Sequence, residues 1–144
     1  MAKKKKLPKC PVESDIEITE GQIDRLEDVL GDELYGGGIL DAAVKVKISN
    51  KKKKSLDAGI VLYVLCDGDF GEDEDGNFDN GPHWIKFEID DTYGFYYGTE
   101  GEVYDEDSAD WYVEDMTWFS TQIGQDVLPI FEWDIQTFVR NKYY

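Results

Sequence analysis

The chain has a single histidine, His83, and only two cysteines, Cys10 and Cys66, in 144 residues. One imidazole and no close Cys/His spacing argue against a zinc site and against a Ser-His-Asp triad. The cysteines give no disulfide framework, so both are read as reduced thiols, with Cys66 partly buried at the end of an apolar strand. No apolar run reaches the roughly 18 residues that a membrane span needs. The basic start, Met1 to Lys9, is not followed by the apolar stretch of a secretory signal. The expectation is a soluble, cytoplasmic protein. Ser14, Ser49, Ser55, Ser108 and Ser120 lack the G-x-S-x-G turn of a hydrolase nucleophile. With no recognisable nucleophile or metal arrangement, the chain is read as non-catalytic and without a cofactor.

Basic charge is scarcest where acid is densest. Between Asp67 and Asp115, 18 carboxylates face one lysine, Lys86. The other 14 acidic residues are matched by 14 basic ones, so the net charge of −17 resides in this third of the chain. Such a surface repels nucleic acid and attracts whatever normally binds phosphate. Aromatic residues make up 14% of the chain, which excludes a disordered acidic tail. The carboxylates are therefore expected on a folded body.

Residues 1–14 read as a flexible basic arm, and residues 15–144 as a single domain. Thr19 and Gln22 have capping-box spacing, and Ile23, Leu26, Val29 and Leu30 follow with helical period, which predicts a helix from Glu20 to Leu30 or Leu34. Gly36, Gly37 and Gly38 lack the spacing of a phosphate cradle and read as a hinge or tight turn. Val44, Val46 and Ile48 alternate with Lys45 and Lys47, and an apolar run from Gly59 to Cys66 follows. Together these predict an antiparallel hairpin with four lysines, Lys51 to Lys54, at its tip.

Beyond the hairpin, short aromatic segments around Trp84 to Ile89, Tyr93 to Gly98, Val103 and Tyr104, and Asp110 to Phe119 predict further strands. At the C-terminus, Phe131, Trp133, Ile135 and Val139 alternate with polar residues, while Leu128, Phe131, Ile135, Phe138 and Val139 also fit one side of a helix. A helix would turn Ile130 and Trp133 away from the core, so a strand is favoured. The fold class is α+β: an N-terminal helix packed on a mainly antiparallel, aromatic-rich β-sheet in a meander, closed by a C-terminal strand or helix.

Function is sought in the charge. The expected partner-binding residues are Asp69, Glu72, Asp73, Glu74, Asp75 and Asp79 in the loop from Asp67 to Gly81, with Asp105, Glu106, Asp107 and Asp110 as a second cluster. Seventeen charges match the phosphate load of roughly 30 Å of duplex DNA. The chain is accordingly read as an acidic, nucleic-acid-mimicking inhibitor of a basic, nucleic-acid-binding protein. A nuclease, CRISPR effector, repressor or toxin would be such a partner, as in phage anti-restriction and anti-CRISPR counter-defence or toxin immunity. A virion-type assembly protein is the alternative, as is a calcium module using Asp75, Asn77 and Asp79. That loop lacks the glycine position and the twelfth-position glutamate of an EF-hand. Direct nucleic-acid binding is expected only through Lys3 to Lys6 and Lys51 to Lys54.

Overall fold

Thr19 opens the first element by the box its spacing predicts. Its hydroxyl accepts the Gln22 N–H at 3.2 Å, and the Gln22 side chain accepts the Thr19 N–H at 3.0 Å. Two orphan amides are satisfied reciprocally, and helix α1 runs over Glu20–Leu30, followed by a single 3-10 turn over Gly31–Leu34. Leu26, Leu30 and Leu34 are buried from it. The computed structural model describes residues 8–34, 37–67, 82–99, 106–113 and 119–143.

The hairpin forms as expected from strands β1 (Gly38–Ser49) and β2 (Ser55–Asp67), paired antiparallel from Gly38 with Asp67 to Ser49 with Asp57. Its tip turns at Asn50, whose φ of 50° is in the left-handed region that asparagine tolerates. On β2 the residues Leu56, Ala58, Ile60, Leu62, Val64 and Cys66 face the main core in strict alternation. Cys66 is fully buried, beyond the partial burial expected, and donates its thiol to the Leu34 carbonyl.

β2 is long enough to serve two partners on its second edge. Strand β3 (His83–Glu88) pairs with Val61–Cys66, and strand β4 (Tyr93–Gly98) pairs with Ser55–Ala58. β4 fills the stretch that β3 leaves open, since unpaired strand amides at a buried edge are costly. Strand β5 (Asp110–Val113) completes the sheet on β4. The strand expected at Val103 and Tyr104 lies outside the described residues. The α+β class with an antiparallel, aromatic-rich sheet is therefore realised.

The C-terminal expectation of a strand is overturned. Helix α2 (Gln122–Val127) leads through a 3-10 turn at Leu128–Phe131 into helix α3 (Glu132–Tyr143). Phe131, Ile135 and Val139, four apart, form the buried stripe. Ile130 escapes the objection to a helix by being buried in the 3-10 turn, whereas Trp133 does point outward and is 71% exposed.

The reverse face of the sheet is partly covered by the N-terminal segment. Trp84, paired with buried Leu65, donates its indole N–H to the Pro8 carbonyl at 3.0 Å. Ser14 and Asp15 then run along the outer edge of β1, where Asp15 donates its N–H to the Val44 carbonyl and accepts the Val46 N–H.

One carboxylate is built into the interior. Asp91, 6% exposed, follows β3 and accepts the backbone N–H and hydroxyl of both Ser120 and Thr121. Thr121 is the N-cap of α2, and its hydroxyl also accepts the Gly124 N–H at 3.0 Å. Burial alone would push the Asp91 carboxyl up, but the hydroxyls and backbone amides together outweigh it and hold it down to about 2. Gly124 makes room for this pin: a Cβ there would overlap the Asp91 carboxylate.

Candidate partner-binding surface

Of the ten acidic residues expected to bind a partner, Asp69, Glu72, Asp73, Glu74, Asp75, Asp79 and Asp105 lie outside the described residues, as does the calcium candidate Asp75, Asn77 and Asp79. Glu106 opens a 3-10 turn, Glu106–Ser108, in which Asp107 is exposed. Asp110 starts β5, where its carboxylate accepts the Trp111 N–H and sits 3.4 Å from the Arg140 Nε. That pairing ties Asp110 to α3. Lys86, the one lysine of the acidic third, pairs with Glu88 at 3.0 Å. Their shared hydrogen bond raises the pKa of the Lys86 ammonium and lowers that of the Glu88 carboxyl, on an exposed surface where such pairs contribute little.

The fold separates the roots of the two predicted clusters. The chain enters and leaves residues 68–81 at the Cys66–His83 end of β2. It enters and leaves residues 100–105 near the Gly98–Asp110 pair, beside the opposite end of β2, where Tyr97 donates its N–H to the Lys54 carbonyl. Thirteen strand residues between these ends span up to about 40 Å.

A third acidic group escapes a count by sequence windows. Residues 13–33 hold nine carboxylates and one basic residue, Arg25. Glu20, Asp24 and Asp28 form an exposed row at spacing four along α1, and exposed Asp32 and Glu33 extend the acidic charge past its end. Like charges at this spacing weaken a helix, and acid at its C-terminal end opposes the macrodipole. Apart from Glu20, whose place in the first turn suits the macrodipole, the arrangement works against the helix that displays it.

An open groove of about 550 Å³ lies between residues 15–19 and α3, toward the side of α1 that carries Gln22 and away from this row. Exposed Trp133 and half-buried Phe138 give it an aromatic wall. Its lining contains the carboxylates of Asp15, Glu17 and Asp134 and no basic side chain. The groove is continuous with α1, because the Gln22 amide donates to Asp134 at 2.7 Å and to the Ile130 carbonyl at 3.2 Å. Sequence reasoning missed it because Trp133 was assigned to the inner face of a strand. The signal available was the competing helical stripe, which leaves that tryptophan without a place in the core.

Among the described residues no group of three or more His, Cys, Asp or Glu side chains is arranged to hold a metal ion. No described helix is long and apolar enough to cross a membrane. No protein-family model, curated protein or solved structure matches the chain.

Proposed function

We propose that this protein is a non-catalytic acidic inhibitor that occupies the basic, nucleic-acid-binding surface of a partner protein in the cytoplasm. The observation that carries the reading is the exposed Trp133 in a groove whose charged lining is wholly acidic. Binding hot spots combine a large aromatic anchor with surrounding contacts that exclude water. Charge complementarity adds steering and selects against acidic partners. The unfavourable placement of acid on α1 supports the same view, since a charge row that weakens its own helix is explained by a use outside the helix. A partner that binds phosphates presents the Lys and Arg side chains that such a surface needs.

The reading predicts competition. Partners captured on the immobilised chain should be released by duplex DNA or by RNA at low salt, with release scaling with polyanion concentration. Captured proteins that stay bound at saturating duplex and RNA would contradict occupation of a nucleic-acid site.

A further inference from the structure

At the other end of the molecule from Asp67, the β1–β2 tip forms a basic and aromatic groove that the acidic reading does not use. The groove measures about 390 Å³, and Lys51, Lys52, Asn50 and Tyr96 contribute to its walls. Tyr96 is 40% exposed, and its ring lies 6.2 Å from that of Tyr112 across the β4–β5 pair, at a tilt of 32°. The two rings are therefore neighbours on one face of the sheet, beside the lysines. Lys51 reaches over the Tyr143 ring at 4.7 Å, on the face of the sheet where Tyr143 packs against Trp111 and opposite the Tyr96–Tyr112 pair.

Lys52 and Lys53 are exposed and have no acidic partner among the described residues. One carboxylate, Asp57, lines the groove itself, and both it and Asp110 are partly committed. Asp57 accepts from the Asn50 amide at 2.7 Å, and Asp110 sits against Arg140. Lysines beside exposed aromatic rings are the combination that holds single-stranded nucleic acid: ammonium groups track the phosphates while bases stack on the rings. Duplex DNA keeps its bases stacked internally and would leave the tyrosines unused. An acidic polypeptide would use the lysines alone.

We propose that the hairpin tip binds single-stranded nucleic acid through Lys51, Lys52 and Lys53, with Tyr96 and Tyr112 as a stacking platform. This site is separate from the acidic surface and stands or falls independently of it. It makes the molecule two-ended, able to engage a nucleic-acid-binding protein at one end and a strand at the other.

The test uses the full chain and a fluorescent oligothymidylate of about 12 nucleotides, a length within the site sizes of single-strand binders. Anisotropy titrations at low salt should give saturable binding, with a log–log salt slope of about −2 for three phosphate contacts. Changing Lys51, Lys52 and Lys53 to glutamine should weaken binding about tenfold or more, in line with the loss of those phosphate contacts. Tyr96→Ala should weaken it at least about fivefold, the loss expected for one stacked base. Both variants should melt like the parent, since all four positions are exposed. Neutralising Lys3 to Lys6 should leave the Tyr96 dependence intact. The proposal is overturned if no binding is seen, if Tyr96→Ala binds like the parent, or if polyglutamate binds as tightly as the oligonucleotide. It is also overturned if neutralising Lys3 to Lys6 alone abolishes binding.

Discussion

Replacing Asp91 with alanine is expected to destabilise the protein by about 3–5 kcal/mol, the cost of removing one partner from a buried charged network. The four donors from Ser120 and Thr121 converge on this one carboxylate, which is 94% buried. Without it, two backbone N–H groups at the start of α2 lose their acceptor, and the Thr121 cap loses the bond that orients its hydroxyl. A drop in melting temperature of roughly 10–15 °C follows for a chain of this size. Asp91→Asn should recover only part of the loss, because its NH2 group meets donors where an acceptor is needed. A melting temperature within about 2 °C of the parent for the alanine variant would show that the network contributes nothing.

The same carboxyl sets an acid limit. Its ordinary value of 3.8 is lowered to about 2 in the fold. A depressed carboxyl contributes stability that is fully present above the unfolded value and is lost as pH falls through the folded one. The loss therefore falls between about pH 4 and pH 2 and amounts to roughly 2 kcal/mol. Urea titrations at pH 6 and pH 2.5 should show this difference in the parent and a smaller one in Asp91→Asn.

Trp133→Ala carries the second large effect, and it should appear in binding alone. The side chain is 71% exposed, so its removal should change stability by less than about 0.5 kcal/mol. Affinity for a captured partner should fall by about 2 kcal/mol or more, some thirtyfold, as for an aromatic anchor at the centre of an interface. Calorimetric titration of parent and variant separates the two properties. An affinity within twofold of the parent would remove the groove from the binding surface.

How far the molecule could be read in its sequence depended on whether the signal was local. The capping box at Thr19 and Gln22 located α1 to the residue, and the Asn50 to Lys54 tip located the hairpin. The period changed cleanly at both places. α3 was misread because Phe131, Trp133, Ile135 and Val139 satisfy a strand while Phe131, Ile135 and Val139 satisfy a helix. Only the third dimension decides which face has something to pack against. Asp91 was indistinguishable among 32 acidic residues, for its role depends on donors about 30 residues away. A serine–threonine pair just before a helix hints at such donors without naming their acceptor.

The electrostatic part was legible in amount and misleading in place. Counting along the chain put all net charge in the acidic third, because the carboxylates of residues 13–33 were offset by basic residues elsewhere in the sequence, among them Lys51 to Lys54 at the hairpin tip. Asp15 pairs with Lys45 at 3.2 Å, but Lys51 to Lys54 sit at the hairpin tip, away from the carboxylates of α1. Screening confines charge interactions to about 8–10 Å at physiological ionic strength, far less than the length of β2. A sum of zero over sequence thus conceals two charged ends.

The most direct measurement is the association rate of a captured partner against ionic strength, for the parent and for a variant carrying Glu20→Gln, Asp24→Asn and Asp28→Asn. If α1 steers a basic surface, the parent rate should fall about tenfold or more between 50 and 500 mM salt, as steered encounters do. The variant should associate more slowly at low salt, with a weaker salt dependence and a nearly unchanged dissociation rate. A parent association rate independent of salt, or a variant that matches the parent at every salt concentration, would contradict the account.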